Sequence, residues 1–444
     1  MNWNELISSK RLGTKPAVKQ NELYNRTQFQ RDYDRLIFSS PFRRMQNKTQ
    51  VFPLPGSIFV HNRLTHSLEV ASVGRSLGNI LAEKLIVKGE TSPLIPELGA
   101  VVSAACLAHD MGNPPFGHAG EEAISSYFKN GRGHNLQLML QAEEWNDFVY
   151  FDGNANAFRL LSHQFNGRRA GGFALTYTTL ASIVKYPFES VGIQKPKFGF
   201  FQSEKELYHE IATELGIKQL GNNPLKFVRH PLVFLVEAAD DICYQMMDLE
   251  DAHKLGILGY ETTKELFLNF YDQQADKEIR KKIEETFNVV SDHNERIAYL
   301  RAGVINKLVH ECIAVFESKQ DDIFEGTFQK SLISQLKGTS RIALEEIKDL
   351  SVDKIYKHRS VVEVEISGHQ IIGTLLEAFI EALLAPDEGY SKRLISMIPE
   401  QYRNNHQTTY EKVQSVIDFV SGMTDLYALD LFRKIKGINL PSIG

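Results

Sequence analysis

The run LGAVVSAACLA, Leu98–Ala108, is almost unbroken in apolar and small side chains, and it ends in His109 and Asp110 before Gly112, Pro114 and Pro115 stop it. Such a run predicts a helix buried on nearly every side. Packing thereby delivers two polar side chains to the helix's own end. A carboxylate buried there without compensation is strongly unfavourable, so the terminus implies a metal ion, a cationic partner or immediate solvent. The plainer alternative is that both residues serve the helix C-terminus, where the dipole favours His but not Asp.

Helix-period patterns dominate the rest of the 444 residues, punctuated at 53–56, 93–96, 112–115, 187–199, 256–259 and 386–389. The expected fold is therefore mainly α. One stretch departs from it: over residues 361–372 VVEVEI alternates, Ser367 and Gly368 turn the chain and QII follows, which predicts a small β-hairpin. A break near Gly256 separates a motif-rich half from a motif-poor one. Three parts are expected: an N-terminal arm over 1–30, a core over 31–258 and a mostly helical region over 259–444. With 50 Lys and Arg against 55 Asp and Glu, the formal net charge of −5 does not advertise nucleic acid or an anionic membrane as the main partner. Cys106, Cys243 and Cys312 are too few for a disulfide framework, and the start MNWNELISSKRLG lacks the apolar stretch of a secretory signal. No apolar run approaches the ~20 residues of a membrane span. A cytoplasmic protein without a membrane partner is expected.

Two further segments carry titratable groups on apolar helices. In HNRLTHSLEVASVGRSLGNILAEKL the stripe Val70, Val73, Leu77, Ile80 and Leu81 extrapolates back to His66, and such a histidine taken alone is more often a hydrogen-bonded core residue than a ligand. In HPLVFLVEAADDICYQMMDLEDAH, a helical turn of 100° per residue puts Glu237, Asp240, Tyr244, Asp248 and Asp251 in a sector about 80° wide. The apolar flanks are too long for a solvent-facing side. Neutral imidazoles and carboxylates together suit a divalent cation that keeps water and leaves positions open for a substrate oxygen.

The order His66, then His109 and Asp110, then Asp240 resembles the HD superfamily of metal-dependent phosphohydrolases. The surrounding words KTQVFPLPG, NRLTHSLEV, AHDMGNPPFGHAGE, FDGNANAFRLL, LTYTTLASIVKYP and EAADDICYQMMDLED are similar, in one order from Arg31 to Asp251, to those of the deoxyguanosine triphosphate triphosphohydrolase family. The resemblance implies an HD-type helical bundle as catalytic core. It implies hydrolysis of a deoxynucleoside triphosphate, dGTP foremost, between the 5′-oxygen and the α-phosphorus, releasing deoxynucleoside and tripolyphosphate. A Mg²⁺, Mn²⁺ or Fe²⁺ cofactor would be held by His66, His109, Asp110 and Asp240. His118 and Glu121, at i and i+3, would transfer protons, with helix capping as their alternative role. Arg63 would clamp the α-phosphate, and Lys185, Tyr186 and Tyr244 would contact phosphate and sugar. Gln50 would read the 3′-hydroxyl, with Gln46 as the competing register, and Val51 would exclude a 2′-hydroxyl. Asp248 would be a further sugar-site residue unless it is a surface charge.

After residue 260 the resemblance thins, although VIDFVSGMTDLYALDLFRK from Val416 is similar to the family's C-terminal helix. No site residue is carried from that half; base reading is expected partly there, and His358 and Arg359 stay unplaced. Family members form symmetric oligomers, so the apolar faces of 373–384 and 413–432 are expected at subunit contacts, unless they complete the protomer core. A nucleotide or single-stranded DNA effector is a further partner to consider. Two other classes stay open: an HD-type phosphodiesterase acting on another nucleotide, and a non-catalytic helical scaffold that binds nucleic acid. KTQVF and VKYP favour the triphosphohydrolase over the first, and the buried polar constellation weighs against the second.

Overall fold

The computed structural model describes residues 1–14, 26–53, 60–191, 197–403 and 407–438. The arm expected over 1–30 and the breaks expected at 53–56 and 187–199 fall partly outside these residues. Nine helices frame the site and are labelled in chain order: α1 Arg63–Val87, α2 Leu98–Ala108, α3 Gly117–Lys129, α4 Gly153–Ser162, α5 Pro231–Lys254, α6 His293–Glu325, α7 Arg359–Leu384, α8 Thr409–Ser421 and α9 Asp425–Ile435. Further helices connect them, so among the described residues the fold is mainly α, with one small antiparallel pair.

Asn62 and Thr65 form a capping box that fixes the first turn of α1, the turn that carries Arg63 and His66. α2 is buried at every position but Ala100. The two helices cross where glycines let backbones approach: a methyl at Gly78 would lie 2.6 Å from the Leu98 carbonyl oxygen, and one at Gly99 1.9 Å from Asn79 Oδ1. α5 starts behind His230, whose ring accepts the Leu232 N–H, and packs on α1, α2 and α6. One apolar core joins these four helices and takes in Trp3, whose ring meets Phe324 of α6 edge-on at 5.3 Å. A second core joins α3, α7, α8, α9 and the helix Ala142–Val149.

The hairpin expected over 361–372 is instead the first half of α7. Val361, Gly368, Ile371, Ile372, Leu375 and Leu376 are buried at helical spacing. The alternation of VVEVEI is only the opening of that longer stripe, and a period seen through six residues yields to one that persists along the whole helix. Gly368 is a contact rather than a turn: a methyl there would lie 2.7 Å from Phe116 Cβ, so glycine lets α7 lie against the entry to α3. The antiparallel pair forms elsewhere, from β1 Gln219–Asn222 and β2 Leu225–Phe227, with Asn222 opposite Leu225. These strands are too short to show an alternation.

The faces expected at subunit contacts also change place. Leu375, Leu376, Phe379 and Ile380 of α7 and Val413, Val416, Ile417 and Val420 of α8 are buried together within the chain. They complete the protomer core. Among the described residues no single helix is long and apolar enough to cross a membrane, and the three cysteines are buried free thiols.

Candidate active site

His66, buried in the first turn of α1, places Nε2 3.0 Å from Asp240 Oδ1 of α5. His109 follows the last turn of α2, and its Nδ1 donates to the Cys106 carbonyl oxygen at 2.6 Å. That bond fixes the ring so that Nε2 is the free coordinating atom. The Nε2 is buried without a hydrogen-bond partner, 3.4 Å from Asp240 Oδ1 and 3.6 Å from Asp110 Oδ1. One ligand atom from each of His66, His109 and Asp240 lies within 4.8 Å of the others. Asp110 stands beside this group, its Oδ2 accepting from Arg63 Nη1 at 2.7 Å and its Oδ1 from Asn113 Nδ2 at 2.6 Å.

Burial opposes charging His109, but Asp110 and then Asp240 outweigh it and push the imidazole up to about 9. Burial likewise opposes ionising Asp240, yet His109 and then His66 hold its carboxyl well below the usual range. A proton on His109 Nε2 competes with a cation for the same lone pair. Two imidazole nitrogens, carboxylate oxygens and an orphaned buried Nε2 fit a divalent ion of borderline character.

Between α2 and α3 the chain turns through Phe116, in the left-handed region at φ +63°, and the Phe116 N–H donates to Asp425 Oδ1 at 3.0 Å. α3 then opens at Gly117, so His118 and Glu121 share its first turn, with Nδ1 3.2 Å from Oε2. Glu121 takes this ring and, at 2.9 Å, the Gly153 N–H, rather than amides at the start of its own helix. The His118 side chain is 89% exposed and that of Glu121 12%. The Glu121 hydrogen bond raises His118 above its ordinary value, and burial's pressure to neutralise Glu121 is overcome by His118. An exposed imidazole thus rests on a buried carboxylate.

These groups open onto a cleft of about 620 Å³ whose walls include Gln50, Val51, Arg63, Lys185, Tyr186 and Tyr244. Gln50 Oε1 is buried there without a partner, whereas Gln46 is exposed and off the wall. Lys185 Nζ lies 3.0 Å from Glu237 Oε1. Asp248 is not on the wall: it is buried behind Tyr356, whose hydroxyl donates to Oδ2 at 2.9 Å, and burial pushes its carboxyl up to about 8. The acidic stripe of α5 is therefore a row of separate pairings. Glu237 meets Lys185 and Arg229, Asp240 the two histidines, Asp248 Tyr356, and Asp251 His61.

The second half of the chain supplies wall residues that sequence reasoning missed. Tyr356 stacks on Tyr244, centroids 5.9 Å apart and planes at 14°, and Val361, Val364 and Glu365 line the cleft beside it. Positions 361, 364 and 365 share a face only on a helix, so reading a strand there hid them. Tyr356 carries no comparable signal. His358 caps α7 by accepting the Ser360 N–H, and Arg359 pairs with Glu363 at the surface.

The HD domain family profile matches residues 63–168, and the phosphohydrolase-associated domain profile matches residues 335–434; Asp240 lies between them. The chain is 37% identical over 457 residues to a deoxyguanosinetriphosphate triphosphohydrolase-like protein of Synechocystis sp., covering 99% of this chain and 100% of that one. It is 36% identical over 463 residues to a protein of the same description from Pseudomonas aeruginosa, covering 100% of both. A deoxyguanosinetriphosphate triphosphohydrolase of Yersinia pestis is 27% identical over 98% of this chain and 99% of its own length.

Proposed function

Because the chain belongs to the deoxyguanosinetriphosphate triphosphohydrolase-like family of metal-dependent HD-domain phosphohydrolases, we propose that it hydrolyses deoxynucleoside triphosphates, dGTP foremost, to deoxynucleoside and tripolyphosphate. The observation that carries this reading is the buried, unpartnered Gln50 Oε1 on the wall of the cleft that opens on the His109 and Asp240 side chains. An orphaned acceptor at that place suits a sugar hydroxyl beside a phosphate. His66, His109, Asp110 and Asp240 would hold the cation. When bound, Mg²⁺, Mn²⁺ or Fe²⁺ supplies Lewis-acid polarisation of the α-phosphoryl oxygen and a more acidic water.

The chain's own residues do the rest. Arg63, Lys185, Tyr186 and Tyr244 neutralise and orient the triphosphate and sugar. Gln50 accepts the 3′-hydroxyl, and Val51 leaves a 2′-hydroxyl without room. Asp248 acts on the sugar side through Tyr356. His118 gives a proton to the departing 5′-oxygen, and Glu121 orients its ring. Incubation with the four common deoxynucleoside triphosphates, separating tripolyphosphate from pyrophosphate and orthophosphate, tests the reading. Tripolyphosphate is expected; pyrophosphate or orthophosphate as the sole phosphate product replaces it with another HD phosphohydrolase activity.

The buried thiols suit a reducing compartment such as the cytoplasm. We infer also a homo-oligomer open to a nucleotide or single-stranded DNA effector, with contacts on surfaces other than the buried faces of α7 and α8. Light scattering tests it, a fully active monomer being the contrary result.

A further inference from the structure

Lys197 reaches the cleft opposite His118. Its Nζ lies 3.3 Å from Asp152 Oδ2 and 3.9 Å from Glu121 Oε2. Asp152 is fully buried at the start of α4: its Oδ1 accepts the Asn154 N–H and Asn154 Nδ2, both at 2.8 Å, while its Oδ2 has no hydrogen bond. Glu121 Oε1 is held by the N–H of Gly153, the residue next to Asp152. Two carboxylates therefore sit behind a single imidazole. A negative charge behind an imidazole makes it hold its proton more tightly, as Glu121 does to His118.

We propose that Lys197, seated on Asp152, is a positioning residue for the reaction: it offsets the second carboxylate behind Glu121 and so sets how tightly His118 holds the proton it transfers. The inference rests on the reading of His118 as the proton carrier.

The charges around the pair leave this role to Lys197. His118 is faced by Glu121 from its own helix, by Arg63 from α1 and by Lys197; Glu121 is faced by His118 and Lys197; Lys197 is faced by Asp152, Glu121 and Tyr186. Glu365 lines the same cleft from α7. Arg63 pairs with Asp110 as Lys197 pairs with Asp152, but of the two only Lys197 also lies close to Glu121, at 3.9 Å. Burial and then Glu121 push Asp152 upward, with Lys197 pulling against them; burial of Lys197 is itself overcome by Asp152 and then Glu121, so the lysine stays charged.

Of the two forms of an imidazole only the neutral one reacts with diethyl pyrocarbonate, so the pH at which the His118 ring is half-modified, read by mass spectrometry of its peptide in the full chain, reports its proton affinity without substrate. Lys197→Met should raise that midpoint by about 1 unit and Asp152→Asn should lower it. The double variant should return toward the wild-type midpoint, and Lys197→Arg should stay at it. The pH profile of kcat should move in the same directions.

An unmoved midpoint in folded Lys197→Met, with only KM raised, makes Lys197 a phosphate contact and overturns the proposal. A double variant no closer to wild type than Lys197→Met overturns it too. Should the midpoints move as stated while the wild type releases no tripolyphosphate, the reading of the activity fails and the hold of Lys197 on His118 stands. Tripolyphosphate release with fixed midpoints does the opposite.

Discussion

His109 donates through Nδ1 to Cys106, and that bond turns Nε2, which has no hydrogen-bond partner of its own, toward Asp240. His109→Ala removes a lone pair that no neighbour replaces. It should leave a folded helical protein without tight divalent binding or turnover, as elemental analysis and circular dichroism would report; unchanged metal content would remove the ring from the metal set. His118→Ala should behave differently, since its ring is exposed and touches Glu121 instead of the metal-type group. Metal content and nucleotide Kd should hold while kcat falls by about 10² to 10⁴. A near wild-type kcat would make His118 structural. His109 drew attention because a titratable side chain at the end of an apolar helix is a costly placement that the sequence itself exposes, whereas His118 was pointed to only by the words around it. Gln50 and Lys185 could be picked out only through the words around them. Tyr356 and Lys197 sit where no periodicity points, and only the folded chain brings them to the cleft.

Among the elements, α2 and α5 were readable as buried helices from their apolar length, whereas α7 was lost to a short window of alternating residues. The crossing of α1 and α2 sets two local rules against each other. Helix propensity favours Ala over Gly by about 1 kcal/mol. Overpacking costs about 1–3 kcal/mol, and a methyl at Gly78 would meet the Leu98 carbonyl oxygen at 2.6 Å, so overpacking should win. Gly78→Ala should lower the urea midpoint; a raised one would mean that the helices part freely. A second junction ties the entry of α1 to the end of α5. The His61 N–H donates to Asp251 Oδ2 at 2.7 Å, Nδ1 lies 2.8 Å from Oδ1, and Nε2 lies 3.3 Å from Glu69 Oε1. Burial works against the charged ring, but Asp251 and Glu69 override it and push His61 up to about 10 from 6.5. The stabilisation is whole below the unfolded value and is lost as pH rises through the folded one, because across that window only the folded state keeps the proton. Its slope is at most about 1.4 kcal/mol per pH unit. His61→Gln should flatten the fall of Tm with pH across this window, and parallel curves for variant and wild type would place the proton elsewhere.

At the scale of the whole molecule, the motif-poor half is not a separate body. Its core includes α3, the helix that carries His118, and Arg159 of α4 is clamped between Glu204 and Asp418 of α8. The break near Gly256 was visible as a turn after α5, but turn residues say nothing about which surfaces meet across them. Two buried polar side chains do that joining. Lys48 Nζ donates to the carbonyls of Asn113 at 2.6 Å and Ser421 at 2.8 Å. Asp425, in the first turn of α9, accepts the Thr49 N–H at 2.8 Å and its hydroxyl at 2.6 Å through Oδ2, and the Phe116 N–H at 3.0 Å through Oδ1. One carboxylate thus holds the residue before Gln50 and the residue that turns the chain into α3. Asp425→Ala should release both loops at once, and because misplacement by about 1 Å can cost roughly 10²-fold, kcat should fall on that order. Metal content should stay at the wild-type level, since Asp425 touches none of His66, His109 or Asp240. Asp430→Ala, which removes only an exposed pairing with Lys434 in the same helix, should leave kcat as it was. A lower Tm with kcat intact in Asp425→Ala would mean that the two loops keep their places unaided and that the C-terminal helices serve stability alone.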